Sequence, residues 1–162
     1  MGVKIKNADR LLKKFNKVGN MNLKSVITDC TLLVEAQAKL LCPVDKGDLR
    51  GSIHPEVKEV EKTIYGRVYT TKEYAPYVEF GTGPKGNGTY PYEIKGFTLK
   101  YRGTKWCYPS TDEDGNTIFI WTRGQKAQPF MYPALEVNKK TIQKKIDDAI
   151  KQHLSESCGG GS

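Results

Sequence analysis

No apolar run in this chain approaches the roughly 20 residues that cross a bilayer, and the opening Met1-Gly2-Val3-Lys4 has no apolar stretch behind it. Neither a membrane span nor a secretory leader is therefore expected. Histidine is scarce: His54 and His153 lie far apart, with no second ligand type near either at metal spacing. Cys30, Cys42, Cys107 and Cys158 form no CxxC pair. A zinc site needs about four converging N or S ligands, so no metal is expected, nor a disulfide framework in a reduced cytoplasm. The sequence holds no GxSxG elbow, no GKS/T phosphate loop and no HExxH. Gly81-Thr82-Gly83 starts like a dinucleotide loop, but Lys85-Gly86-Asn87 does not complete it, so it reads as a turn. Glu73, Glu79 and Glu93 are carboxylates that a glycosidase would have to pair, yet isolated acids near turns are usually solvated. A Cys–His dyad would have to place Cys30, Cys42 or Cys107 beside His54, which precedes Pro55 in an expected loop. No catalytic residue and no cofactor is expected.

What the chain does have is unevenly placed positive charge. The 26 Lys+Arg outweigh the 18 Asp+Glu by eight. Lys4, Lys6, Arg10, Lys13, Lys14, Lys17 and Lys24 face only Asp9 in the first 24 residues. Such a stretch suits an acidic partner or a phosphate backbone, or is a solvated helix face. At 38% hydrophobic and 27% charged, the composition is that of a globular chain rather than a disordered one. Its 162 residues fit a single domain.

Periodicity supplies the elements. Ala8, Leu11, Leu12, Phe15 and Val18 mark a helix over 6–18, with Gly19 as its stop. Asn22 can cap a second helix, whose apolar stripe is Leu23, Val26, Ile27, Cys30, Val34, Ala38 and Leu41. Pro43 ends it. Residues 64–70 alternate as a strand. Residues 74–80 read as either a bent strand or a short helical turn, because Pro76 argues against a central strand. Gly81 to Tyr92 is rich in turns. Phe97, Leu99 and Tyr101 alternate again. The Asp- and Gly-rich run Ser110–Asn116 divides Trp106–Pro109 from Thr117–Trp121 as a hairpin, and Trp106 and Trp121 are expected to pack beneath a small sheet. A last helix runs from about Pro133 to His153, with Leu135, Ile142, Ile146, Ala149, Ile150 and Leu154 as its apolar stripe. The order predicts an α+β fold. A small, mostly antiparallel sheet packs on a long N-terminal helix, with a C-terminal helix and an aromatic hairpin insertion over about 84–121. One domain over 1–154 and a loose tail over 155–162 are expected.

Three segments stand out together: Pro43-Val44-Asp45-Lys46-Gly47-Asp48-Leu49-Arg50-Gly51-Ser52-Ile53, Tyr74-Ala75-Pro76-Tyr77-Val78-Glu79-Phe80-Gly81-Thr82-Gly83, and Ala127-Gln128-Pro129-Phe130-Met131-Tyr132-Pro133-Ala134-Leu135-Glu136. In this order, each at an element boundary, they resemble the phage neck or tail-joining family founded by the tenth gene product of a Hong Kong lambdoid phage. The likeness spans about residues 22–150. Lys46 stands where that family often has Thr, and the 84–121 stretch is longer and more aromatic than in many members. The resemblance implies a structural virion protein, assembled in the host cytoplasm and placed at the neck or tail top of a phage or prophage particle. It implies a ring, hexameric by expectation, that contacts adjacent neck and tail proteins and lets packaged DNA pass through, with no membrane partner. A tail terminator or head-closure slot, a basic nucleic-acid-binding module and a small hydrolase are the rival readings. Within the segments, Asp45 or Asp48 is expected to bond backbone N–H groups and shape its turn. Arg50 is expected to pair with an acid such as Glu79. Gly81 and Gly83 are expected in conformations closed to other residues. Pro129 and Pro133 set the approach to the last helix, and Phe130 is the expected core anchor.

Overall fold

The computed structural model describes residues 23–61, 63–94 and 96–158; the helix expected over 6–18 lies outside them. Its elements, in order, are α1 (Leu23–Leu41), α2 (Asp48–Gly51), β1 (Ile53–Val60), β2 (Thr63–Thr70), α3 (Ala75–Phe80), α4 (Gly83–Gly86), β3 (Trp106–Thr111), β4 (Thr117–Thr122) and α5 (Met131–Cys158). The fold is α+β, with two separate two-stranded antiparallel sheets.

Helix α1 is the centre, as its stripe predicts. It packs on α5 on one side and on the β1–β2 ribbon on the other. Cys30, Val34 and Ala38 are buried. Leu41 is 39% exposed, against expectation, and Cys42 one residue later is buried instead, because the helix stops and the chain turns inward before Pro43. Thr31 joins the buried face by donating its hydroxyl to the Ile27 carbonyl, a back-bond that satisfies the group inside the helix. That face also receives β2 at close range. A Cβ on Gly66 would run into the Thr31 hydroxyl, so a glycine lets the strand lie against the helix.

The strand β1 is not apparent in the sequence, and His54 and Pro55 lie within it rather than in a loop. Pro55 sits opposite Val68. A ribbon of two strands has only edges, so the missing N–H of proline removes no ladder bond that a third strand would need. The core joins Val34, Ala38, Cys42, Leu49, Ile53, Ala75, Phe130 and Ala134. It is thin: among the described residues, only Phe130 and Ile53 are large side chains that are fully buried.

Beyond β2 the chain departs from the expected pattern. Residues 74–80 resolve into helix α3, with Pro76 in its first turn, where a missing N–H is tolerated. Phe97, Leu99 and Tyr101 form no strand. The β3–β4 hairpin forms where the sequence places it, with each strand slightly longer. Trp121, however, is 63% exposed and Trp106 lies against Gly83, so neither packs beneath a sheet. Helix α5 extends to Cys158. Leu135, expected in the apolar stripe, is about half exposed at the start of the helix.

Candidate functional site

The second and third segments meet at the start of α5, and Glu79 joins them. It is buried, at 5% exposure. Its Oε2 accepts the backbone N–H of Phe130 at 2.7 Å and of Met131 at 2.9 Å, and its Oε1 accepts that of Tyr132 at 3.1 Å. The first N–H groups of a helix have no partner within it, and they carry its positive end. A carboxylate from another element here satisfies three of them. Among the described residues no ion pair joins Glu79 to Arg50, which is exposed. The expected Arg50–Glu79 pair is therefore replaced by a capping contact. Glu73 is exposed and Glu93 contributes only its carbonyl, to the Tyr132 hydroxyl, so the three carboxylates do not converge.

Around this cap the chain is laced backbone to backbone. Gln128 N donates to Val78 O at 2.8 Å. Thr82 and Gln125 exchange N–H···O bonds at 2.9 and 3.2 Å, and Lys85 N donates to Arg123 O. Ala127 N donates to the Thr89 hydroxyl, and the Gln125 side-chain amide donates to Tyr77 O. Such approach leaves no room for side chains. A Cβ on Gly81 would lie 2.7 Å from Ala127 N, and Gly81 and Gly83 have φ of 75° and 59°, as their position in the motif predicts. Gly124, which the sequence reading did not single out, faces Thr82 more closely still, at φ 84°. The Gly–Gln dipeptide at 124–125, after a strand and before Gln128-Pro129, was the available signal.

The first segment adjoins the other two along a polar groove of about 530 Å³, lined by Pro43–Leu49, Tyr74, Val78, Gln125 and Gln128. Its turn is set differently from expectation. Among the described residues neither Asp45 nor Asp48 makes a side-chain hydrogen bond; Gly47, at φ 87°, begins α2 without a side-chain cap. Leu49 is buried beneath it. Ser52 donates to Leu49 O at 2.7 Å, so its 2.6 Å contact to the Thr70 hydroxyl has Thr70 as the donor. Lys72 N donates in turn to Thr70. That chain of bonds ties the segment to the end of β2.

The motif residues thus divide. Leu49, Ser52, Ala75, Glu79, Phe130, Pro133 and Ala134 are buried, and Pro43, Phe80, Thr82 and Pro129 are half-buried. Asp45, Arg50, Tyr74, Tyr77, Gln128 and Leu135 face outward. Tyr74 and Tyr77 are 43% and 60% exposed. They border a second groove of about 1000 Å³, which runs from α3 to the root of the β3–β4 hairpin past Tyr101, Trp106 and Tyr108. Within the cap region Tyr90 packs edge-on against Phe80, Tyr92 and Tyr132. Its buried hydroxyl has no hydrogen-bond partner among the described residues. Burial pushes its pKa well above the ordinary phenol value, with the charge of Glu79 adding to the effect. Burial likewise raises the thiols of Cys30 and Cys42.

Residues 5–81 match the family model described as "Bacteriophage HK97-gp10, putative tail-component". This segment is of the HK97-gp10-like family. No curated protein and no solved structure gives a significant match. The match covers the first motif segment and the second as far as Gly81. Glu79 lies inside the matched segment and the N–H groups it binds lie 51 to 53 residues further on. The start of α5 is therefore bonded into the family segment rather than appended to it. The matched family is described as a phage tail component.

Proposed function

We propose that the protein is a ring-forming subunit of the neck or tail top of a tailed phage or prophage particle, joining head to tail. The observation that carries this reading is the family match over residues 5–81. The distribution of apolar surface agrees with it. Among the described residues the core fully buries only two large side chains, whereas Tyr77, Phe119, Trp121 and Val137 are each at least 60% exposed. Scattered exposed apolar residues are ordinary, but aromatics gathered on projecting elements mark contact surfaces. The outward-facing motif residues Asp45, Arg50, Tyr74, Tyr77, Gln128 and Leu135 are proposed to meet neighbouring subunits, and the buried ones to hold the fold. A closed ring built from one chain uses two different surfaces, each meeting the other on the next copy. Six copies around a channel that passes DNA is the arrangement proposed.

The test is electron microscopy of lysates from a phage whose copy of this gene carries an early stop codon. Packaged heads beside separate, complete tails are expected. Overlong tails would assign the protein to tail termination instead, and normal infectious particles would overturn the structural reading.

A further inference from the structure

Among the described residues the β3–β4 hairpin contributes nothing to the buried core. Its strands pair with each other and pack extensively on no other described element. Two-stranded hairpins are marginal on their own, and this one is apolar on both faces. Tyr108 and Ile120 share one face, which turns at its root toward the groove beside α3. Pro109, Phe119 and Trp121 share the other; Phe119 is 67% and Trp121 63% exposed. The tip carries Asp112, Glu113 and Asp114 with no basic residue between Thr111 and Thr117, in a chain whose net charge is +8. Asp112 builds the turn, accepting N–H bonds from Asp114 and Asn116. Glu113 and Asp114 are exposed and enter no ion pair among the described residues.

The surface complementary to this tip is on α5. Lys139-Lys140-Thr141-Ile142-Gln143-Lys144-Lys145 holds four lysines and no acid. Ile142 points toward the core, so Val137, Lys140 and Lys144, at i, i+3 and i+7, form a stripe on the opposite side. Val137 is 68% exposed. Lys140 and Lys144 are exposed and enter no ion pair among the described residues. Asp147, three residues on from Lys144, is engaged by the Gln143 amide at 3.0 Å. The spacing also agrees. Phe119 lies two residues, about 7 Å, from the start of the turn. Val137 lies about 5 Å along the axis from Lys140 and about 10 Å from Lys144.

We propose that the hairpin is an arm that docks on a second copy of this chain, with Phe119 against Val137 and with Glu113 and Asp114 on Lys140 and Lys144. The contact is heterologous, because the arm of one subunit meets the helix of the next, and it leaves a free arm and a free helix at the two ends to propagate or close a ring. This rests on the ring reading above and names the two surfaces that make the contact.

The test uses the full chain and reads its oligomeric state by light scattering and native mass spectrometry. Glu113→Lys with Asp114→Lys is expected to weaken self-association by about tenfold or more, and Lys140→Glu with Lys144→Glu to do the same. Both pairs change exposed side chains outside the core, and unchanged circular dichroism confirms the fold. The chain carrying all four changes is expected to associate again, and so is an equimolar mixture of the two charge-reversed proteins. Association that survives the arm change overturns the arm while leaving the ring reading in place. Loss with the arm change, but not with the helix change or without rescue in the mixture, overturns the acceptor surface. A wild-type chain that stays monomeric overturns both the docking and the ring.

Discussion

At the scale of single residues, Glu79 carries the most structural weight. Replacing it with Gln preserves its shape but turns an amide N–H₂ toward backbone donors that need acceptors. A buried charge-assisted bond lost in this way costs about 1.5–3 kcal/mol, so Glu79→Gln is expected to lower the urea midpoint accordingly, with an unchanged slope. A loss within about 0.5 kcal/mol, the size of an ordinary surface change, would mean that the three N–H groups find other partners. Tyr90 makes the opposite case. Its buried hydroxyl has no partner among the described residues, so Tyr90→Phe is expected to be neutral or slightly stabilising below pH 10. The pH dependence has a definite sign. The folded chain keeps the Tyr90 proton above the pH at which the unfolded chain loses it. This group's contribution is therefore fully present below about pH 10 and is lost as pH rises above it. The phenylalanine variant is expected to lose stability less steeply between about pH 10 and pH 11.5 than the wild type. Equal slopes would show that Tyr90 ionises without penalty.

The elements show why some of the chain was legible and some was not. Helix α1 could be read because its apolar stripe repeats at the helical period and Pro43 marks its end. The β3–β4 hairpin could be read because an Asp- and Gly-rich run separates two apolar segments. Strand β1 could not: Ile53-His54-Pro55-Glu56-Val57-Lys58-Glu59-Val60 contains a proline and three charges, and a two-edged ribbon tolerates both. The role of Glu79 was hidden for a different reason. Its position in a motif was visible, but its partners lie 51 to 53 residues away, and no local pattern records a contact across that distance. The stretch expected as one insertion is two structures. Residues 83–104 are stitched to the domain through Lys85, Thr89 and the Tyr101 hydroxyl, which donates to Phe80 O, whereas the strands of 106–122 pair with each other and meet the rest of the described chain mainly at their root, where Trp106 lies against Gly83. The glycine latch at the base of the arm tests this division. Gly124→Ala puts a methyl group into Thr82 at φ 84°, whereas Gly88→Ala, at φ 71°, meets nothing within 4 Å. Both incur the left-handed backbone cost of about 1–2 kcal/mol, and only Gly124→Ala adds a clash. Its melting temperature is expected to fall by at least about twice as much as that of Gly88→Ala. Equal falls would mean that the latch is loose enough to separate from Thr82.

For the whole molecule, the thin core and the exposed arm make one prediction together. A subunit that fully buries only Phe130 and Ile53 among its large described side chains gains little from its own interior. Assembly then adds stability to the folded state alone, because the unfolded chain presents no arm and no helix face to a neighbour. By mass action such stability grows with protein concentration. A tenfold increase is worth up to about 1.4 kcal/mol per subunit, which for a chain of this size raises the melting temperature by roughly 3–6 °C. Scanning calorimetry from about 1 µM to about 100 µM should therefore show a rising transition for the wild type. The Glu113→Lys, Asp114→Lys chain should show a transition that hardly moves, because it folds as well but associates poorly. A rising transition in both proteins would keep self-assembly and assign it to a surface other than the arm. A flat transition in both would mean that this chain is stable by itself, and that its exposed aromatics await a different tail protein rather than a copy of their own.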